Sequence, residues 1–286
     1  MCGRFVCFCS SAEYQEKIKQ MGFEIIEWEN KEAYRPDYNA PPTSPITALL
    51  NMHTDIKDED ELSGQAAKVR KLGNEQAQVT VSGESDKLDA IHSAFGPSKH
   101  KLVTCRWGLI PSFAKSLKSL PTMHNARSET INSKPIFKRL MKTQRCVVFL
   151  NGFYEWKDKV PYYVCRDDDQ LMCVAGVYDV WKDPENGLIT SVSLVTRSSL
   201  CIEQYAWLHD RIPLILDSPL NIEVWMTSTA SAESVLEEML NVDCPKLRII
   251  PVSSNVNKVT FKGKQCLDPR SEFKGPMDKF IKVKNQ

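Results

Sequence analysis

A chain of 286 residues with 42% hydrophobic and 26% charged side chains has the composition of an ordinary globular protein, not of a disordered, collagenous or coiled-coil one. Its 37 Lys and Arg stand against 36 Asp and Glu, a net charge of +1. Any affinity for nucleic acid must therefore come from a local patch and not from a global positive field. No apolar run approaches the ~20 residues a bilayer crossing needs, and the first residues lack a basic region followed by an apolar stretch, so a soluble, unsecreted chain is expected.

Taken in chain order, hydrophobic periodicity predicts a helix over 12–21 and a strand over 46–51. Residues 54–100 then carry nine acidic and six basic side chains with Gly64, Gly73 and Gly83 among few large apolar residues, which reads as a solvated acidic insertion. Strand patterns follow at 101–110, 145–150, 162–166, 171–180, 189–196, 213–216 and 247–252, with helical patterns at 134–142, 200–208 and 231–240. After Asn257, eight Lys and Arg face three acidic residues, a basic tail over 258–286. Strands that do not alternate regularly with long helices predict an α+β fold: a largely antiparallel, barrel-like sheet with peripheral helices in a single domain over 2–257. The ten cysteines are scattered, several inside strand patterns. Reduced, buried thiols are the expectation, not a disulfide framework.

The first chemically loaded feature is Met1-Cys2-Gly3-Arg4. If Met1 is removed, Cys2 presents a 1,2-aminothiol. Ordinary pKa values of about 8 for the amine and about 8.5 for the thiol leave both partly deprotonated near neutral pH. The amine can condense with an aldehyde to an imine and the thiolate can close on the same carbon to give a thiazolidine, a closure favoured because it is intramolecular. Other polar islands stand at element ends, where scaffolds present functional groups. They are Tyr38-Asn39-Ala40-Pro41, read as a turn; Arg106-Trp107-Gly108; Asn125-Ala126-Arg127 before a helix; Gly152-Phe153-Tyr154-Glu155-Trp156 after an apolar strand; and His209-Asp210-Arg211. Singly, each has an ordinary alternative. Glu155 fits an exposed strand position, Asn125 a turn or cap, His209 a helix C-terminus, Trp107 the core, and Arg127 and Arg211 paired surface charges.

In that order these blocks resemble the SRAP family, the SOS-response-associated peptidase proteins that include abasic-site processing proteins. With Arg145-Cys146-Val147-Val148 and Pro251-Val252-Ser253, the resemblance covers about residues 2–257 apart from the insertion. It implies that Cys2 crosslinks to the ring-opened aldehyde of an abasic site in single-stranded DNA during replication-associated damage repair. It also implies that Asn125 orients the Cys2 terminus or the opened sugar, that Glu155 handles protons and removes Met1 autocatalytically, and that His209 assists sugar-ring opening. By the same analogy Arg4, Asn39, Trp107 and Arg127 line a DNA channel. The implied protein needs no cofactor and no metal and is a monomer. Its partner is single-stranded DNA with abasic sites, replication-fork proteins are further candidates, and its place is the nucleus of a eukaryote or otherwise the cytoplasm. The sequence departs from the family pattern at Ile212 and at Phe149-Leu150-Asn151. Two other readings stay open: a cysteine-type peptidase or N-terminal-nucleophile amidohydrolase acting in trans, and a module that binds single strands without chemistry. A metal enzyme is disfavoured because Cys2, Cys7 and Cys9 lack a second Cys/His pair at zinc spacing.

Overall fold

The computed structural model describes residues 3–51, 100–117 and 122–270. Cys2, nearly all of the acidic insertion and the tail beyond Arg270 lie outside the described residues.

The chain opens with β1 (Phe5–Cys7), buried throughout, and α1 (Ser11–Gln20). A capping box starts α1: the Glu13 N–H donates to Ser10 Oγ at 3.3 Å and the Ser10 N–H to Glu13 Oε2 at 2.7 Å. Tyr14 and Ile18, one turn apart, form its buried stripe. Next come β2 (Ile25–Glu29), β3 (Asp37–Ala40), β4 (Pro45–Asn51), β5 (His100–Trp107) and β6 (Asn125–Arg127), then α2 (Ser128–Ile131) and α3 (Pro135–Thr143). The central strands are β7 (Arg145–Leu150), β8 (Gly152–Lys157), β9 (Val160–Arg166), β10 (Met172–Asp183) and β11 (Gly187–Ser198). After α4 (Glu203–Ala206) run β12 (Arg211–Pro213), β13 (Ile215–Leu216), α5 (Pro219–Thr227), α6 (Ala232–Leu240) and β14 (Leu247–Pro251).

The larger sheet has the order β12-β11-β10-β7-β4-β5-β2. It closes on itself where β11 also pairs with β5, in parallel, at Ser191 with Arg106 and Val192 with Trp107. Strands β11, β10, β7, β4 and β5 thus form a five-stranded barrel, and closure removes the edges an open sheet would expose. A second sheet has the order β14-β9-β8-β1-β3 and is antiparallel throughout. The expected α+β, largely antiparallel and barrel-like architecture is what forms. Parallel pairs are confined to β2–β5, β5–β11 and β6–β11. The main core fills the barrel, and a second cluster of Val6, Tyr154, Tyr163, Cys165, Val252, Val256 and Cys266 lies on the outer side of the small sheet.

Several sequence expectations are corrected. The helix over 200–208 shrinks to Glu203–Ala206, and the strand over 213–216 breaks at Leu214, whose N–H reaches Val195 O and whose carbonyl accepts from Ala175 N. Tyr38-Asn39-Ala40 is strand, not turn; the chain turns after it, over residues 41–44. His100 is already the first residue of β5 and not part of an insertion. The island 151–156 is itself strand β8. Gly152 is required there because a Cβ would stand 2.4 Å from Val164 O and 2.6 Å from the Tyr163 ring on β9.

Candidate functional site

Antiparallel pairing of β1 with β8 sets the position of the N-terminal residues. Phe5 stands opposite Phe153 and Val6 opposite Gly152, and the Tyr154 N–H donates to Arg4 O at 2.9 Å. Continued one step, this register brings Gly3, the residue after Cys2, alongside Glu155. Glu155 is only 3% exposed, and its Oε1 accepts the Trp156 N–H at 3.2 Å.

Side chains alternate along β8, so Phe153, Glu155 and Lys157 share one face. The two neighbours of Glu155 on that face touch the same segment: the Phe153 ring lies 6.1 Å from Tyr205, and Lys157 Nζ sits 5.4 Å over the Trp207 ring and donates to Trp207 O. The segment that leads to His209 therefore crosses the face from which Glu155 projects. At its end, His209 Nδ1 accepts the Arg211 N–H at 2.9 Å and lies 2.8 Å from Asp210 Oδ1. One nitrogen cannot accept from the amide and donate to the carboxylate at once. The first bond belongs to the ring with its proton on Nε2, the second to the ring protonated at Nδ1.

Asn125 enters from the other side of β11. Strand β6 runs parallel to β11, with Asn125 opposite Leu194 and Arg127 opposite Thr196. Arg211 bridges from the far edge, donating to Thr196 O at 2.7 Å and pairing with Glu129 in α2. This ties the Asn125 strand to the strand that follows His209.

Trp107 is the hub of the arrangement and is not a surface. It is 0% exposed, donates Nε1–H to His124 O at 2.9 Å, and packs edge-to-face against Phe5 and His124 at 5.0 and 5.4 Å. The indole braces the strand after Cys2 against the residue before Asn125. Asn39 is buried in the same way. It is 0% exposed, its Nδ2 donates to Val256 O, Lys258 O and Phe261 O, and its Oδ1 accepts from Arg4. Its Nδ2 holds the segment after β14 against β3, and its Oδ1 holds Arg4. Arg4 is part-buried on the opposite face from Glu155, with Nη1 donating to Asn39 Oδ1 and Val256 O and its guanidinium 5.8 Å from the Trp156 ring. Arg127 is exposed, as a phosphate contact requires.

The aromatic that the sequence reading missed is Phe113, 72% exposed. Its loop is pinned by three bonds: Ile110 N–H to Ser191 Oγ at 2.8 Å, Ser112 N–H to Asp179 Oδ2 at 2.8 Å, and Trp181 Nε1–H to Ala114 O at 2.6 Å. A rigid loop that holds an aromatic in water has the form of a stacking platform. The signal was its place beyond Pro111, where the strand pattern has ended.

The other thiols are poor competitors for an electrophile. Burial pushes Cys7 and Cys173 up to about 12 and Cys244 to about 11, and it raises Cys105, Cys146, Cys165 and Cys266 as well. Thiolate is the reactive form, so these groups are silent at neutral pH. Among the described cysteines only Cys201 is exposed. Cys7 and Cys9 are engaged with Tyr34 Oη at 3.2 Å and with Asn151 Nδ2 at 3.4 Å.

A family model described as SRAP, SOS response associated peptidase, matches residues 1–259. The chain is 28% identical over 264 residues to the abasic site processing protein YoqW of Bacillus subtilis, covering 90% of this chain and 94% of that protein. It is 29% identical over 303 residues to the abasic site processing protein HMCES of Gallus gallus, covering 94% and 78%. Among solved structures, a protein from Bacteroides thetaiotaomicron superposes with a TM-score of 0.62 at 18% identity, covering 93% of this chain and 99% of that one. A Bordetella bronchiseptica protein superposes with 0.60 at 17%, covering 88% and 100%. The latter two show a shared fold.

Proposed function

The chain belongs to the SRAP family, and from that membership we propose that it captures abasic sites in single-stranded DNA as a covalent adduct at Cys2. The observation that carries this reading is the β1–β8 register, which runs Gly3 alongside the buried Glu155 under the segment that leads to His209. An aminothiol at residue 2 and a proton-transfer group at residue 155 are the two parts thiazolidine chemistry needs in one place.

Removal of Met1 comes first, because the peptide nitrogen of Cys2 must become an amine. Glu155, activating a water for attack on the Met1 carbonyl, is the group assigned to that hydrolysis. The free amine then adds to C1′ of the ring-opened sugar. Proton transfer and loss of one water give the imine, and Cys2 Sγ adds to the imine carbon while the thiol proton passes to nitrogen. The sum is aldehyde plus aminothiol to thiazolidine plus water. Glu155 relays the protons, Asn125 orients the terminus or the opened sugar, and His209 assists opening of the sugar ring. General acid/base help of this type contributes on the order of 10² to 10⁴ in rate.

Binding is assigned to the exposed Arg127 as the cation toward phosphate and to Phe113 as the stacking surface, while Arg4, on the opposite face from Glu155 and bonded to Asn39 and Val256, holds the N-terminal strand in place. Base–aromatic stacking is worth roughly 1–3 kcal/mol per base and tolerates any sequence, and phosphate contacts position without reading bases. A lesion sensor needs both, with selectivity left to the aldehyde.

The test is a denaturing gel with single-stranded oligonucleotides that contain or lack one abasic site. The wild type forms a slower, denaturation-resistant band with the abasic strand alone, and Cys2→Ala forms none. A band that survives Cys2→Ala, or its absence from the wild type, overturns the proposal. Repeated turnover of peptides without a DNA adduct would instead support a peptidase acting in trans.

A further inference from the structure

Lys157 is an unexpected residue to find beside a buried carboxylate. It lies two positions after Glu155 on the same face of β8, at the start of a hairpin turn in which both Asp158 and Lys159 adopt left-handed backbone conformations (φ 51° and 65°). Asn-Gly is the usual occupant of such a turn, so the hairpin holds its shape against local preference. Lys157 does not extend from this hairpin into solvent. Its side chain folds over the Trp207 ring, with Nζ 5.4 Å from the centroid, and donates to the Trp207 carbonyl.

Trp207 is gripped from two further directions. Tyr162, the direct cross-strand partner of Glu155 on β9, meets its ring edge-on at 5.4 Å and 84°, and its Nε1–H is held by Gln204 O at 3.1 Å. Trp207 stands two residues before His209. On the far side of His209 the chain is fixed by Ser199, whose Oγ–H donates to His209 O and whose N–H donates to Asp210 O at 3.0 Å. His209 thus hangs between a clamp just past the end of β11 and a clamp on β8. Lys157 is the polar half of the second.

We propose that Lys157 is a positioning residue that, through Trp207, sets where His209 stands relative to Glu155. This role presupposes the abasic-site chemistry proposed above. Lys157 contributes no proton and contacts no substrate. It holds the spacing between two groups that must meet one sugar, and misplacement by about 1 Å can cost on the order of 10²-fold in rate.

The experiment is single-turnover adduct formation on an abasic single-stranded oligonucleotide by the wild type, Lys157→Met, Lys157→Arg, His209→Ala and the Lys157→Met/His209→Ala double variant, with thermal melting of each. Met keeps the apolar stem over the indole and deletes the charge and the donor. Arg restores both and stacks on the ring. Expected results are a loss of about tenfold for Lys157→Met, recovery to within about threefold for Lys157→Arg, and no further loss when Lys157→Met is added to His209→Ala, the coupling of residues that act as a unit. Melting temperatures stay together, and the salt dependence of the Lys157→Met rate matches that of the wild type because no phosphate contact is lost.

Two results overturn the assignment: an unchanged rate for Lys157→Met, or an equal loss with and without His209, which would mean that Lys157 acts on DNA or on Glu155 directly. In either case wild-type adduct formation still stands, and only the Lys157 role falls. A wild type that forms no adduct defeats the proposed function, and the positioning role with it.

Discussion

Glu155→Gln is expected to slow adduct formation by on the order of 10² or more, with little change in stability, the low end of what a general acid/base supplies. Gln is nearly isosteric, and its amide oxygen accepts the Trp156 N–H as the carboxylate does at 3.2 Å. Strand β8 keeps its pairing with β1 and β9. What disappears is the capacity to take and return a proton. Three steps need that capacity: activation of water at the Met1–Cys2 bond, dehydration to the imine, and thiol addition. Two assays separate them: the fraction of purified chain that retains Met1, read by intact mass, and the rate of band formation by chain whose Met1 has been removed with an added aminopeptidase. Both are expected to be impaired. Wild-type rates in both would remove Glu155 from the chemistry.

The second large effect concerns the scaffold. Arg145 opens β7 with 4% exposure, and its partners are main-chain carbonyls: Nε donates to Trp225 O, Nη1 to Met141 O and Lys142 O, and Nη2 to Ser228 O. These carbonyls belong to the last turns of α3 and α5, where helices leave their C=O groups unpaired and carry partial negative charge. One guanidinium closes two helix ends onto the barrel. Burial lowers its pKa to about 10, which leaves it charged at neutral pH. Arg145→Ala strands these acceptors in the interior, at about 1–3 kcal/mol for each buried group that finds no water. A loss of ~3–5 kcal/mol is expected, the range for breaking a buried network. Urea denaturation checks it: the midpoint falls with the slope unchanged. A loss below about 1 kcal/mol would mean that the helix ends cap themselves. Arg145→Lys would keep a charge but not the planar fork.

The parts of the fold that sequence reading captured share a physical cause. Strand β7 is buried at every position and after Arg145 reads as an apolar run, and β4, β9, β10, β11 and β14 stand within a few residues of their expected bounds. Helices α1 and α6 carry Ser caps and a one-sided apolar stripe. Helix α5 escaped because it has no such stripe: Ile222, Glu223, Trp225 and Met226 are all buried, so its periodicity vanishes. Strands β1, β3 and β6, of three or four residues, are too short for alternation to show and are defined by pairing, β1 with β8 and β3, and β6 with β11.

The candidate site divides in the same way. Asn125, Glu155 and His209 belong to blocks whose order along the chain was legible; the fold puts Asn125 on β6, Glu155 on β8 beside β1, and His209 in the segment between α4 and β12. Asn39 and Trp107 sat in equally recognisable blocks, yet their work is internal. One ties down the segment after β14, and the other joins Phe5 to His124. Motif position alone does not separate a residue that touches a ligand from one that aims its neighbours. Exposure says which side chains solvent can reach, 72% for Phe113 and 0% for Trp107, but the buried Glu155 at 3% shows that it is no test of a role by itself. Arg4, which the resemblance places in the DNA channel, has its Nη1 bonded to Asn39 and to the Val256 carbonyl.

Proteolysis of the purified protein–DNA adduct, with mass spectrometry of the DNA-bearing peptide, asks the central question without intermediaries. The account predicts a single modified peptide that begins at Cys2, lacks Met1, and carries the sugar on both nitrogen and sulfur of that residue without added reductant. A sugar found on Cys201 or on a lysine, or an adduct whose chain still begins with Met1, would contradict it.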